Sequence, residues 1–282
     1  MRQPPIITPA EADLAYAAAQ RVVETHRRMV EFIRVGQTLA QIDAEVARVL
    51  AALECRSCFL HYRVGRSPAY PSHACLSVNS CIVHGTPGFH TAPLAEGDLL
   101  KLDIGVVHRG WIGDAGWTYA IKRVPSEAAR RLMEAGKTSL ARGVKELRPG
   151  NRYVAWARAV QTCVEDEYGF HLTRGLGGHG IGRYKNERER GLHLPPYVSN
   201  VVPTQHGEWP EGEMECRPGT LVAVEPMLSL GTGKTVSDSR LVWPVSTADG
   251  SLAAHYEHDV LITEQGPRVM SEGMEQLPDV IG

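Results

Sequence analysis

Four carboxylates stand where carboxylates are rare. Asp103 in "LLKLDIGVV", Asp114 in "GWIGDAGW", Glu225 in "LVAVEPML" and Glu257 in "AHYEHDVLI" each interrupt an apolar run that otherwise reads as a strand. Acidic residues are depleted in strands, and an ionised carboxylate is costly to bury unless a cation or a proton compensates it. Asp103 and Asp114 flank the turn His108-Arg109-Gly110 almost symmetrically, which predicts opposite or diagonal places on adjacent strands. At that range they repel each other unless something positive lies between them. His179, set among five glycines in "GLGGHGIGR", adds an imidazole.

Oxygen-rich, with one nitrogen and no thiolate, this donor set suits a divalent transition metal, or two such ions sharing bridging carboxylates. Ions roughly 3.5–4 Å apart can clamp a water and polarise a carbonyl, and coordination lowers the pKa of water from about 16 to about 7. Hydrolysis is the chemistry that follows. For each acid alone, pairing with one of the 30 Lys and Arg residues or exposure at a strand edge is an adequate explanation. For four together with a glycine-flanked histidine it is a poor one.

Gly175-x-Gly177-x-x-Gly180 also fits the dinucleotide-binding fingerprint. That loop should leave a strand, open a helix with an apolar face and be followed by an acidic residue about 20 positions on. Here the chain continues "IGRYKNERERGLHLPPYVSN", charged and then broken by proline, with no acidic residue from Leu192 through Gln205. The context fails. The glycines read instead as clearance around His179, letting neighbouring chain and substrate come close.

Helix signals place these residues in a repeated plan. Thr8-Pro9-Ala10-Glu11 has capping-box spacing with proline at the first helical position and predicts a helix to about Arg34; Thr38-x-x-Gln41 opens a second, to about Leu53. Strand-like "ACLSVNSCIVHG", "DLLKLDIGVVHRG" and "WIGDAGWTYAI" follow. The order then recurs: Ser126-Glu127 opens a helix to about Leu147, Asn151 caps another to about Tyr168, and "TLVAVEPMLSL" and "YEHDVLIT" read as strands. The separation of Thr8 from Asp103 nearly equals that of Ser126 from Glu225. An α+β fold of two matching halves, with a carboxylate entering a shared cleft from each side, is the expectation. Gly191 to Gly219 reads as a long surface loop beside that cleft.

Composition narrows the function classes. The 282 residues are 43% hydrophobic and 22% charged with a net charge of -2, which points away from disorder, a nucleic-acid footprint or an electrostatic membrane anchor. No stretch reaches the roughly 18 apolar residues of a membrane span, and a cytoplasmic protein is expected. Six cysteines are too few in a chain of this length for a disulfide framework, and Cys55-x-x-Cys58 has no matching second pair. They read as incidental thiols in a reducing compartment.

With these residues in place, the sequence resembles the type I methionine aminopeptidases of the pita-bread metallopeptidase family. "SVNSCIVHGTPG", "LKLDIGVVHRGWIGDAGWTYAI", "GGHGIGR", "LVAVEPM" and "AAHYEHDVLIT" occur in the family's order with similar spacing, over most of the chain. The resemblance implies the pita-bread (creatinase/aminopeptidase) fold: one catalytic domain over 1–282, with pseudo-symmetric helix-helix-sheet halves at about 8–122 and 124–265 around a central metal cleft. It implies two divalent ions (Co, Mn, Fe or Zn) on Asp103, Asp114, His179, Glu225 and Glu257, with Asp114 and Glu257 in the bridging places. Glu225 matches the residue that takes the proton from attacking water, His84 the histidine beside the substrate amide and His193 the one at the substrate carbonyl. Tyr70, Cys75 and Trp243 match the side-chain pocket. Leu192 stands where an aromatic is usual, and Val64 and Ser67 where a cysteine and a tyrosine are expected.

The implied function is metal-dependent removal of N-terminal methionine from peptides and nascent chains by a monomer that recognises neither nucleic acid nor membrane. Proline-directed peptidases of the same fold would use the same five ligands, and a catalytically inactive relative would be a binding module; the intact ligand set speaks against the latter. Between His179 and His193 the spacing is roughly double the family's, with "YKNERERG" as the apparent insertion; a further lengthening lies in "SNVVPTQHGEWPEGEMECRPG". His193-x-x-Pro196 favours His193 over His206 for the carbonyl role. His26 and His171 read as surface or loop histidines, and strand alternation turns His258 away from Glu257.

Overall fold

The computed structural model describes residues 3–205, 207–237 and 242–282; His206 lies outside them. Helix α1 spans Pro9–Phe32, and α2 spans Leu39–Ala52. Both begin with the expected reciprocal capping box, Thr8 with Glu11 and Thr38 with Gln41. Along α1 the residues Ala12, Ala15, Ala18, Ala19, Val22, Val23 and Met29 recur at helical spacing and are buried. Each large member of that stripe contributes about 1.5–3 kcal/mol on burial. The small alanines set the approach distance: a Cβ on Gly113 would stand 2.6 Å from the Ala18 backbone, so helix and sheet meet almost backbone to backbone.

His26 corrects the sequence reading. It belongs to the same stripe and is fully buried, with Nδ1 2.9 Å from the Tyr119 hydroxyl and Nε2 3.1 Å from the Ala115 carbonyl. Burial drives its pKa down to about 4, so the ring is neutral and acts as a polar core residue. His171 is exposed.

The strands Leu99–His108 and Trp111–Ile121 form one long hairpin, in register from Leu99↔Ala120 to His108↔Trp111. Arg109 and Gly110 turn it with φ of 50° and 78°, the positive pair of a two-residue turn that matches strand twist. Every residue of both strands is buried, so both faces are covered. Cys75–Val78 pairs antiparallel with the first strand and Val280–Ile281 parallel with the second.

Helix α3 (Glu127–Glu146) starts at the Ser126 cap as expected. Asn151 does not cap the helix that follows it. Its amide donates to the Glu146 carbonyl at 3.0 Å and to the Glu146 carboxylate at 2.8 Å, closing the end of α3. Helix α4 (Tyr153–Gln161) follows from Arg152 without a side-chain cap and runs into a π-helical turn, Thr162–Glu167. The second large sheet has the order Gly266–Val269, His258–Thr263, Leu221–Val224, Gly177–Gly180, Leu194–Ser199. Helix, helix and sheet thus occur twice. Trp117 of the hairpin meets Tyr256 edge to face at 4.8 Å, joining the two parts through the core.

The segment 191–219 is more ordered than a loop. Leu194–Ser199 adds a strand beside His179, Pro210–Glu213 forms a short 3-10 helix, and the Trp209 indole donates to the Tyr197 carbonyl at 3.0 Å. All six cysteines are buried and unpaired. Among the described residues no helix is long and apolar enough to cross a membrane.

Candidate metal centre

The hairpin register places Asp103 opposite Gly116 and Asp114 opposite Gly105. The two acids are therefore diagonal on one face, each with a glycine across from it. The second sheet brings up the rest. His179 lies on Gly177–Gly180, Glu225 follows Leu221–Val224, and Glu257 precedes His258–Thr263 with its N–H donating to the Gly116 carbonyl at 2.8 Å. Donor atoms of Asp114, His179 and Glu257 lie within 4.8 Å of one another, as do those of Asp103, His255 and Glu257. His179 Nε2 stands 3.7 Å from one Glu225 oxygen.

The glycines beside His179 give neighbouring chain the close approach expected of them. Cβ atoms on Gly177, Gly178 and Gly180 would come within 2.5, 2.3 and 2.2 Å of the carbonyl oxygens of Val198, Ala223 and Pro195. Their clearance serves the flanking strands, between which His179 is clamped.

Among the described residues, no Lys or Arg pairs with the four acids; the ion-pairing groups within 4 Å are the imidazoles of His179 and His255. Asp103 Oδ1 and Asp114 Oδ1 are buried without a hydrogen-bond partner in the protein. Burial first, and mutual repulsion second, push Asp114 and Glu257 well above the usual carboxylate range. Burial raises Glu225 to about 7, and burial with the Glu225 charge raises Asp103 to about 6, the nearby imidazoles opposing both. His179 is lowered by burial and stays neutral. Its Nδ1 lies 3.2 Å from the Gly180 carbonyl, which assigns the proton to Nδ1 and leaves the Nε2 lone pair facing the acids. A buried acidic cluster with orphaned oxygens and a free imidazole lone pair fits a divalent cation.

Those shifts carry a pH dependence. The folded chain keeps protons on Asp103 and Glu225 up to about pH 6 and 7, whereas unfolded carboxyls release them near pH 4. Between about pH 4 and 7 the folded state binds more protons, so its stability falls as pH rises. The metal-free chain is expected to melt at a lower temperature at pH 8 than at pH 5, with added Mn²⁺ raising the melting temperature more at pH 8. Thermal melts at both pH values check this; equal melting temperatures would refute the charge repulsion.

A narrow pocket opens above the acids. Tyr70, Cys75, His84, Leu192, His193 and Trp243 all line it, joined by Phe59 and Tyr62. Trp243 stands perpendicular to Tyr70 at 5.3 Å and to His84 at 6.2 Å; Tyr70 donates to the Gly85 carbonyl at 2.8 Å. His193 Nδ1 lies 2.7 Å from the Tyr62 hydroxyl, and its ring is 4.3 Å from that of His179. His84 and His193 both have positive φ, 56° and 37°, a conformation that gathers at functional sites. Desolvation among the pocket groups lowers both pKa values, His84 to about 4, and neighbouring imidazoles add to it, so both rings are neutral.

Residues 13–264 match metallopeptidase family M24. The chain belongs to that family. It is 36% identical over 266 residues to methionine aminopeptidase 1 of Mycobacterium tuberculosis, covering 92% of each chain. The crystal structure of methionine aminopeptidase from Thermotoga maritima superposes with a TM-score of 0.82 at 30% identity, covering 95% of this chain and 99% of that one. The prolidase of Pyrococcus furiosus shares the fold at a TM-score of 0.69 and 18% identity, and this chain covers 65% of it. The pita-bread architecture of the M24 family accounts for the duplicated helix-helix-sheet plan and for the central position of the acids.

Sequence reasoning missed three residues of the pocket and acidic cluster, Phe59, Tyr62 and His255. Val64 is 54% exposed and outside the pocket; Phe59 and Tyr62 supply aromatic surface to the pocket, and Cys58 is fully buried in the apolar cluster behind them. The aromatic pair Phe59 and Tyr62, three residues apart just before Tyr70, was the available signal. His255 was also legible, two residues before Glu257, by the alternation that turns His258 away; His258 bonds Ser271 at 2.8 Å. The charged insertion is anchored. Arg190 is buried, donates to the Cys58 and Leu60 carbonyls at 2.9 and 3.0 Å and pairs with Glu187, so the insertion braces the pocket wall. Outside it a groove of about 910 Å³ runs from Leu192 and His193 past Trp111 and Arg183.

Proposed function

We propose that this M24 chain is a metal-dependent aminopeptidase that removes N-terminal methionine from peptides and nascent chains, with two divalent ions held by Asp103, Asp114, His179, Glu225 and Glu257 and the whole of 1–282 as its catalytic unit. One observation carries the reading: an uncompensated, buried acidic cluster forms the floor of a narrow, aromatic-walled pocket. When bound, the ions supply the positive charge that polarises a peptide carbonyl and activates water. The protein's own groups do the rest. Residual negative charge at the acids attracts an α-ammonium, and the pocket, closed by Phe59, Tyr70 and Trp243, takes a single apolar side chain, so cleavage falls after the first residue. Glu225, ionised once cations face it, accepts a proton from the attacking water. His193, with Nδ1 at the Tyr62 hydroxyl, presents Nε2–H toward the substrate carbonyl, and neutral His84 faces the amide.

Hydrolysis of Met-Ala-Ser and of Ala-Pro peptides with Co²⁺, Mn²⁺, Fe²⁺ or Zn²⁺ restored after chelation tests this. The expected kcat/KM favours Met-Ala-Ser by about 10²-fold or more, as a shaped apolar pocket allows. Preference for Ala-Pro would assign the site to proline-directed cleavage. No turnover with any of these metals would leave a binding module.

A further inference from the structure

His255 has no part in the chemistry proposed for Glu225, His84 and His193, yet it points into the same cluster. It is 1% exposed, and neither ring nitrogen has a hydrogen-bond partner. Its Nε2 lies 3.3 Å from Glu225 Oε2 and 3.8 Å from Glu257 Oε2. The other Glu225 oxygen, Oε1, faces His179 Nε2 at 3.7 Å. Each oxygen of Glu225 therefore faces a different imidazole.

We propose that His255 is a sixth ligand of the metal centre, giving the ion on the Asp103 side an imidazole of its own as His179 does for the ion on the Asp114 side. The proposal rests on the two-ion reading of the site. Two donors bound to one ion at about 2.1 Å stand about 3.0 Å apart at a right angle and about 3.4 Å apart at the tetrahedral angle. The His255 separations are close to that range and similar to the one between His179 and Glu225. Asp103, His255 and Glu257 form one compact donor group, and Asp114, His179 and Glu257 the other, with Glu257 common to both.

The fold holds this ring in place. Thr118 Oγ1 donates to the His255 carbonyl at 2.8 Å and accepts from the His255 N–H at 2.9 Å, clamping the backbone on both sides. Gly116, the cross-strand partner of Asp103, leaves room for the ring: a Cβ there would stand 2.9 Å from His255 Cε1 and 3.1 Å from Nδ1. An imidazole at an otherwise all-oxygen position shifts preference from Mg²⁺ and Mn²⁺ toward Fe²⁺, Co²⁺ and Zn²⁺.

Co²⁺ titration of the metal-stripped full chain by calorimetry, with proton NMR of the loaded protein, tests the assignment. Wild type is expected to take up two ions and to show two paramagnetically shifted, exchangeable imidazole N–H signals. In His255→Gln the first ion is expected to bind as in wild type, the second at least about 10-fold more weakly, and one shifted signal to disappear. Glutamine keeps a hydrogen-bond donor, so undiminished binding of the second ion in His255→Gln would make His255 a hydrogen-bond donor to Glu225 and overturn the proposal. So would a single shifted imidazole in wild type carrying two ions, a readout independent of how the variant folds. Uptake of only one ion by wild type would overturn the two-ion reading, and the assignment with it.

Discussion

Asp114→Asn is expected to lower kcat/KM for Met-Ala-Ser by about 10³-fold or more while raising the melting temperature of the metal-free chain at pH 8. Asp114 is 3% exposed, lies diagonal to Asp103 across the hairpin and shares a donor group with His179 and Glu257. Its backbone N–H donates to Asp259 at 2.8 Å, so the residue's position is set by contacts that asparagine keeps. What asparagine removes is charge. Without that charge the centre would lose a donor that Asp114 would share with His179 and Glu257, and would hold its ions more weakly. In the metal-free chain the same charge is a burden: burial and the repulsion of Asp103, Asp259 and Glu225 hold the Asp114 carboxyl well above its usual range. The unfolded chain gains more by ionising as pH rises than the folded chain does, so replacing the acid removes a pH-dependent destabilisation. At pH 5 the gain should be smaller. Steady-state kinetics with saturating Mn²⁺ or Co²⁺, together with melts at both pH values, check the two halves separately. Full activity in this variant would remove Asp114 from the centre; lost activity without the gain at pH 8 would mean that the acids are already compensated within the protein.

Glu225→Gln is expected to lower kcat by about 10²–10⁴-fold with KM for Met-Ala-Ser changed by no more than about threefold. Glu225 sits between the imidazoles of His179 and His255 at the mouth of the second sheet, and burial holds its pKa up at about 7. Bound cations would lower that value and leave an ionised base beside the water. Glutamine retains size and one carbonyl oxygen but cannot take a proton. In the proposed reading the substrate's side chain sits among Phe59, Tyr70 and Trp243, which line the pocket, so its binding should survive. A raised KM with unchanged kcat would instead make Glu225 a substrate-holding group and would leave the base unassigned.

Particular residues show how much of the site was readable in advance. Asp103, Asp114, Glu225 and Glu257 stood out because an acid inside an apolar strand conflicts with local physics, and such conflicts gather where function overrides stability. The symmetric flanking of the Arg109-Gly110 turn was enough to place two of them opposite or diagonal on adjacent strands, since a hairpin's turn sets its register; the observed pairing makes them diagonal. Capping boxes at Thr8 and Thr38 marked helix starts because their hydrogen bonds are local. His26 was misjudged for the converse reason. Nothing in its own neighbourhood shows that Tyr119 and Ala115 come from the hairpin to bond both ring nitrogens.

By itself, then, the sequence determined the helix-helix-sheet order, the long hairpin and the identity of the acidic cluster with His179, all of which follow from local hydrogen bonding, strand periodicity and the expense of burying charge. Only the tertiary structure decided that Phe59 and Tyr62 wall the pocket, that Arg190 ties the charged insertion to that wall, that 194–199 is a strand and that His255 faces Glu225. Each of these depends on contacts between segments distant in the chain. The glycines around His179 show the same division: the need for clearance was legible in their spacing, but only the structure identifies the carbonyls of Val198, Ala223 and Pro195 as what comes close.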